Sequence, residues 1–438
     1  MVSALVPRGA ASIVHYRTPG WPHHTEVVHR RRSGAGPALR HAPAGRSKVT
    51  GMKIEPFELE RWQSTYENQV DFNLSESGVE PLTLGELVDD AASREALFAE
   101  DLRYTQTNGT AALRHAIASL YPGATADHVQ VTNGGAEANY ITTWNLVEPG
   151  DEVVMMVPNF MQVWGLVRAF GAVVKEWPLI APSQANHDGR GHGWRIDTDA
   201  LERATSSRTK LIVICNPNNP SGARFEASDL DRIAAIADRH GSWIVSDEIY
   251  RGAERDGRET STIWGRSDRV LVTSGLSKAY GLPGLRIGWI VGPPSRIAAL
   301  WSYHDYTTIA PGALSDALAR RAFEPSTRER LLARTRGILN RNYPIIASWL
   351  DQHGGLFSYA PPDAGAIVYV RYHHAINSTE LVTRLRLEKS VLIVPGDHFG
   401  MDGYLRLGFG DRPEHLRAAL DRASEGMADC GFGSADSD

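Results

Sequence analysis

The sequence predicts an α/β fold: a mostly parallel sheet with helices on both faces, followed by a smaller α+β domain. Three observations carry this. Short apolar runs alternate with amphipathic stretches through the middle of the chain. Those runs are nearly continuous in apolar residues, as strands buried on both faces are. The alternation ends near Pro311, beyond which two long helical stretches precede four further strand candidates. A chain of 438 residues is too long for one core and suits roughly two or three domains.

Residues 1–51 stand apart. They are rich in Arg, His, Ser, Gly and Pro, contain Arg30-Arg31-Arg32, and hold Glu26 as their one acidic residue. Such a stretch buries too little apolar surface to offset ordering, and it lacks the apolar centre of a secretory signal. A disordered extension is expected, or translation from a start upstream of Met52. Residues 52–97 are too few for a domain and are expected to form an N-terminal arm and part of the small domain.

The large domain is expected over 98–311. Its strand candidates are HVQVT (128–132), DEVVMMV (151–157), AVVKEWP (172–178), KLIVIC (210–215), SWIVS (242–246), RVLVTS (269–274) and RIGWIV (286–291). AEANYITTWNLV, MQVWGLVRAFG and SDLDRIAAIADRHG supply amphipathic helices between them. The small domain is expected over 312–431, with helices in 312–352 and strands LFSYA, AIVYVRY, VLIV and YLRLGF. Residues 432–438 read as a frayed, disordered tail.

Composition excludes several classes. Lys plus Arg is 46 against 51 for Asp plus Glu, a net charge of −5 without the basic footprint of a nucleic-acid binder. No apolar run approaches the roughly 18 residues of a membrane span. Cys215 and Cys430 cannot build a disulfide framework and fit a reducing, cytoplasmic context. His23-His24 and His373-His374 are adjacent pairs without the spacing of metal ligands. The pattern of the chain, with its large core, points to an enzyme.

In an open α/β sheet ligands bind at the carboxyl ends of strands, and four of these ends carry polar clusters. HVQVT leads into Asn133-Gly134-Gly135-Ala136-Glu137, where glycines opening a helix either make a plain turn or let amides reach a phosphate. KLIVIC leads into Asn216-Pro217-Asn218-Asn219-Pro220-Ser221-Gly222, a rigid turn or a loop presenting Asn219. SWIVS leads into Asp247-Glu248-Ile249-Tyr250, with Asp247 a helix cap or the partner of a cation. RVLVTS leads into Gly275-Leu276-Ser277-Lys278, with Arg286 eight positions beyond the lysine. A lysine near the middle of a sheet needs a covalent or ionic reason. Together the four clusters meet the needs of pyridoxal phosphate: a Schiff-base lysine, a carboxylate for the ring nitrogen, a phosphate cradle and donors to the phenolate oxygen.

The segments NPNNPSG, SDEIY and SGLSKAYGLPGLRIGW, occurring together, resemble the fold-type I pyridoxal-phosphate enzymes of aminotransferase class I/II, over the stretch from about Glu55 to Ala428. The resemblance implies their fold, and pyridoxal 5'-phosphate attached to Lys278, which also serves as general base and acid. Asp247 pairs with the ring nitrogen, and Tyr250 and Asn219 serve the phenolate oxygen. Gly135, Ala136, Arg286, Ser274 and Ser277 serve the phosphate. The family's usual serine three residues before the lysine is Gly275 here, which leaves one contact unaccounted for. Phe160 matches the aromatic stacked on the ring, or else packs in the core. Tyr104 matches a tyrosine that reaches the neighbouring subunit's phosphate, which implies a homodimer with shared sites. Arg406 matches the arginine that holds the substrate α-carboxylate. The implied reaction is transamination between an amino acid and a 2-oxo acid.

SESGVEPLTLGEL (75–87), SKAYGLPGLRIGW and Tyr303-His304-Asp305-Tyr306-Thr307-Thr308 also resemble the capreomycidine synthases, which implies β-elimination and cyclisation of a hydroxylated arginine-like amino acid as the alternative. Regulators that join a DNA-binding domain to this fold need a helix-turn-helix ahead of Met52, and 1–51 has no helical apolar period. The dicarboxylate-specific members use an arginine in the stretch matching 305–311, which here contains no cation. Asp305, with His304 beside it, and Glu76 are either solvated or part of an acidic pocket favouring cationic or neutral polar side chains.

Overall fold

A computed structural model of the chain describes residues 53–182 and 193–432. Seven strands form the central sheet: β1 (Val129–Thr132), β2 (Glu152–Val157), β3 (Val173–Pro178), β4 (Thr209–Cys215), β5 (Trp243–Asp247), β6 (Val270–Gly275) and β7 (Gly288–Val291). Their order is β1-β7-β6-β5-β4-β2-β3. β1, β6 and β7 are buried throughout, and the apolar residues of β2 and β4 are nearly all inside, as near-continuous apolar runs require.

The pairing is parallel from β3 through β2, β4 and β5 to β6. β7 runs antiparallel to both β6 and β1. The reason is local. Leu276–Ile287 holds only one short 3-10 turn, Pro283–Leu285, which cannot serve as the crossover that a parallel return needs. β1 therefore runs in the same sense as β4, β5 and β6, and their carboxyl ends open on one side.

The arm carries α1 (Glu58–Tyr66), where Trp62 donates to the Ile393 carbonyl, and the sheet is covered by α2 (Gly135–Leu146), α3 (Gln162–Ala169), α4 (Ala227–His240) and α5 (Pro294–His304). α4 shows how the sequence sets its ends. Glu226 and Asp229 form a capping box, Gly241 closes the helix in the left-handed region, and Leu230, Ile233, Ala234 and Ala237 face the core. α2 instead packs between the sheet, α3 and α5, and is buried on most sides.

After α6 (Ala313–Ala322), the long α7 (Pro325–Gln352) leads to a four-stranded sheet of β8 (Phe357–Tyr359), β9 (Ile367–Tyr372), β10 (Val394–Pro395) and β11 (Tyr404–Gly408). Its order is β10-β11-β9-β8, all antiparallel. The run VLIV does not form one strand. Val391–Leu392 pairs parallel with Phe72–Asn73, whereas Val394–Pro395 pairs with β11. Ile393 marks the change of partner, and the N-terminal arm is thereby joined to the C-terminal part of the chain. α8 (Ser378–Lys389) and α9 (Pro413–Asp429) complete the chain. Phe432, assigned from sequence to the tail, is buried and stacks on His374 with ring centroids 4.3 Å apart. The expected disorder of 1–51 and of the tail beyond Phe432 lies outside the described residues. Among the described residues no helix is long and apolar enough to cross a membrane.

One close approach fixes where the sheet meets α2. A Cβ at Gly288 of β7 would lie 2.3 Å from the carbonyl carbon of Gly134 and 2.5 Å from the nitrogen of Gly135. Gly288→Ala must therefore push the start of α2 off the sheet, and destabilisation of about 1–3 kcal/mol is expected. Gly165→Ala, in open helical surroundings within α3, serves as the control and leaves the melting temperature unchanged or higher. Equal behaviour of the two variants in thermal melts would refute the close packing.

Candidate active site

The carboxyl ends of β1, β4, β5 and β6 open into a cavity of about 440 Å³. Gly135 and Ala136 line it from the start of α2, Asn219 from the loop after β4, Asp247 and Tyr250 from the end of β5, and Ser277, Lys278 and Arg286 from the loop after β6. Phe160, Glu76 and Arg406 of β11 complete the group foreseen from sequence.

The phosphate-sized end is built from backbone and one cation. Gly134 caps α2 at φ 90°, a conformation that favours glycine. A Cβ there would fall 2.3 Å from Arg286 Nη2, so the guanidinium lies directly against the turn. Arg286 itself has φ 50°, unusual for a side-chain-bearing residue and typical of functional sites. Its Nη1 donates to the Pro283 carbonyl at 3.1 Å and reaches Ser277 Oγ at 3.5 Å. A helix N-terminus with free amides and an adjoining guanidinium is an anion receptor.

Asp247 is the last residue of β5 and is desolvated. Burial raises its pKa, and the donors that oppose this are Asn139 and the amide of Ile249, with Lys278 adding attraction. Asn139 Nδ2 donates to Asp247 Oδ2 at 3.1 Å, and the Ile249 N–H donates to Oδ1 at 3.0 Å. Thr273 Oγ1 in turn donates to Asn139 Oδ1 at 2.7 Å, which fixes the amide's orientation. Asn139 and Gln162 both line the cavity, and sequence reading missed both. Asn139 sits inside α2, five residues past the glycine turn, with no motif to mark it.

Lys278 has its pKa lowered, first by desolvation and then by Arg406 and Arg286, against the opposing pull of Glu76 and Glu60. A neutral amine is the form that attacks a carbonyl and accepts a proton. Arg406 is 1% exposed. Its Nη1 donates to Asn219 Oδ1 at 3.0 Å and its Nη2 to the Ser75 carbonyl at 2.7 Å, while Nε has no partner. The buried Tyr250 hydroxyl likewise makes no hydrogen bond of good geometry, and burial pushes its pKa up. A buried polar atom left without a partner in a residue that lines a cavity calls for an explanation, and a ligand that supplies the partner is one. A receptor for an anion, a desolvated carboxylate, a lysine with a lowered pKa, a buried phenol and a guanidinium with an unpartnered nitrogen fit pyridoxal phosphate with an amino acid.

Three foreseen residues lie elsewhere. Ser274 does not line the cavity, and its hydroxyl donates to the Glu248 carbonyl at 3.1 Å. The preceding strand register turns it away, so its expected phosphate role is not supported. Gly275 cannot be the family's serine: a Cβ there would lie 2.9 Å from the Ile287 carbonyl oxygen, because β7 returns so closely. Tyr104 is 81% exposed and outside the cavity of its own subunit. Asp305 is exposed at the end of α5 and also outside. His304 is buried and turned to Glu137, 3.4 Å away, rather than to the mouth.

Glu137 ties this loop to α2. Its carboxylate accepts from the Asn133 amide at 2.6 Å, from Thr308 at 2.8 Å and from Thr307. Burial alone would raise its pKa, but the bonds from His304, Thr307, Asn133 and Thr308 outweigh it and hold the value at about 2, against 4.5 ordinarily. The folded-state value is depressed, so the stabilisation is present above pH 4.5 and fades as pH falls toward 2. Glu137→Gln is expected to cost on the order of 2 kcal/mol at pH 7, with the gap to wild type narrowing in melts at acid pH. A gap that widens on acidification contradicts this account. Asn139→Leu is expected to weaken pyridoxal phosphate binding at least tenfold by removing the charge-assisted donor to Asp247. Unchanged affinity in a fluorescence titration would refute that role.

Residues 72–422 match the family model of aminotransferase class I and II. The chain is 32% identical to capreomycidine synthase of Streptomyces vinaceus over 372 residues, covering 84% of this chain and 92% of that protein. It is 30% identical to the aspartate/prephenate aminotransferase of Thermus thermophilus, covering 76% and 85%. The fold matches that of a PLP-dependent aminotransferase from Streptococcus suis with a TM-score of 0.79 and 30% identity, over 88% of this chain and 100% of the other. The chain belongs to the aminotransferase class I and II family of pyridoxal-phosphate enzymes.

Proposed function

We propose that this enzyme transfers the amino group of an amino acid to a 2-oxo acid in the cavity around Lys278. The carrying observation is that a desolvated lysine, a desolvated aspartate and a buried arginine with one unpartnered nitrogen line one cavity. When bound, pyridoxal phosphate supplies an electron sink for the bond broken at the substrate Cα.

The chain's own residues do the rest. The amides of Gly135 and Ala136, with Ser277 and Arg286, hold the phosphate. Asp247, steadied by Asn139, holds the ring nitrogen's proton. Phe160 covers the ring, and Tyr250 and Asn219 donate to its phenolate oxygen. Arg406 binds the substrate α-carboxylate as a fork that lysine could not replace, with Asn219 and the Ser75 carbonyl fixing its plane. Lys278 anchors the cofactor through its amine, then takes the proton from the substrate Cα and returns it elsewhere.

The active form in this reading is a cytoplasmic homodimer with shared sites. Phe98, Leu102, Tyr104 and Tyr306 are each more than 80% exposed. Arg320–Glu100 and Thr110–Asp316 bonds tie the first of these segments to α6. Exposed apolar side chains in such numbers support a subunit interface. Residues 98–311 are read as the large domain, with 52–97 and 312–431 forming the small one. The similarity to capreomycidine synthase keeps elimination with cyclisation as a second reading.

The deciding experiment incubates holoenzyme with isotopically labelled amino acids, with and without pyruvate. Transamination yields a 2-oxo acid and labelled alanine, whereas elimination with cyclisation leaves the α-amino group in the product. Arg406→Ala is expected to lower kcat/KM at least hundredfold, chiefly through KM. A variant with unchanged KM would remove Arg406 from carboxylate binding.

A further inference from the structure

α1 presents an unexplained face to the active-site cavity. Glu60, Gln63, Ser64 and Glu67 recur at helical spacing and all line it, and Glu76 lines it from the opposite segment. Among the described residues, none of the three carboxylates makes an ion pair or a hydrogen bond through its side chain. Their charge is felt at the centre, since Glu60 and Glu76 act on both Lys278 and Arg406. They also act on each other: burial first, then Glu76 and Glu60, raise the pKa of Glu67.

The cations lining the cavity are Lys278, Arg286 and Arg406. Arg286 lies against the Gly134 turn. Arg406 carries an unpartnered, fully buried Nε at the centre. That buried donor, in a residue lining the cavity, points independently to a ligand there. The cavity thus holds an anion receptor at the strand ends and, from α1 and the segment around Glu76, three carboxylates without a paired cation. A dicarboxylate bound at Arg406 would place its second charge among like charges, since among the described residues of this chain the other lining cations, Lys278 and Arg286, serve the cofactor. A substrate bearing a distal cation would relieve all three.

We propose that Glu60, Glu67 and Glu76 form the side-chain subsite for a cationic amino acid, whose guanidinium or ammonium group they hold while Arg406 holds the α-carboxylate. This rests on the amino-acid site proposed above and adds its specificity. Charge-assisted hydrogen bonds to a carboxylate make the preference large enough to measure.

The test compares L-arginine with L-citrulline, whose ureido group replaces the guanidinium at the same length, and with L-aspartate. Binding to holoenzyme is followed by calorimetry and turnover by release of 2-oxo acid. Arginine is expected to bind at least tenfold more tightly than citrulline at low salt, with a smaller margin at high salt. Glu67→Gln and the triple variant Glu60→Gln/Glu67→Gln/Glu76→Gln, checked by thermal melts, are expected to shrink the arginine-to-citrulline ratio severalfold and at least tenfold respectively. Citrulline binding as tightly as arginine, aspartate binding more tightly than either, or an unchanged ratio in the triple variant overturns the proposal. Turnover of L-alanine or L-norleucine without an arginine advantage overturns the subsite alone. Absence of 2-oxo acid from every amino acid overturns the aminotransferase reading, and the binding ratio then still decides the subsite.

Discussion

Among the described residues Asp247 is a carboxylate buried without an ion-pair partner, and the site is organised around that cost. Its side-chain donor among the described residues is Asn139, oriented by Thr273. An isolated buried charge costs several kcal/mol unless something compensates it. A protonated ring nitrogen provides that compensation, so cofactor binding and Asp247 ionisation reinforce each other. The same economy holds at Arg406, where two of three guanidinium nitrogens are satisfied and the third awaits a ligand. Stability withheld from the empty site is thereby available to binding.

The sheet explains how such groups come to face one another. The short return between β6 and β7 reverses one strand, brings Gly288 against the Gly134 turn and closes off the space a side chain at 275 would need. The cradle, the lysine loop and Arg286 are therefore consequences of one tight connection. Glu137 extends this rigidity outward by fastening the 304–308 loop to the first turn of α2.

Much of this was legible in the sequence because apolar runs locate strands, and the polar residues just after them must face the ligand edge. Lys278, Asp247, Asn219, Tyr250 and Gly135 were found this way. Arg406 and Phe160 came from resemblance and also line the cavity. Asn139 was hidden because it lies within a helix buried on most sides, where an amide carries no period. Glu60 and Glu67 were hidden because carboxylates on an amphipathic helix read as a solvated face. Ser274 misled because a strand-end hydroxyl can point to either side. The reversal of β7 and the split at Ile393 depend on pairing partners far along the chain, which local pattern does not encode.

The central claim is that Lys278 carries the cofactor. The other described lysines, Lys53, Lys175, Lys210 and Lys389, do not line the cavity. Borohydride reduction of the holoenzyme followed by peptide mass mapping tests this most directly. The account predicts one pyridoxyl phosphate adduct per chain, on Lys278. An adduct on another lysine, or none on protein that binds the cofactor, would contradict it.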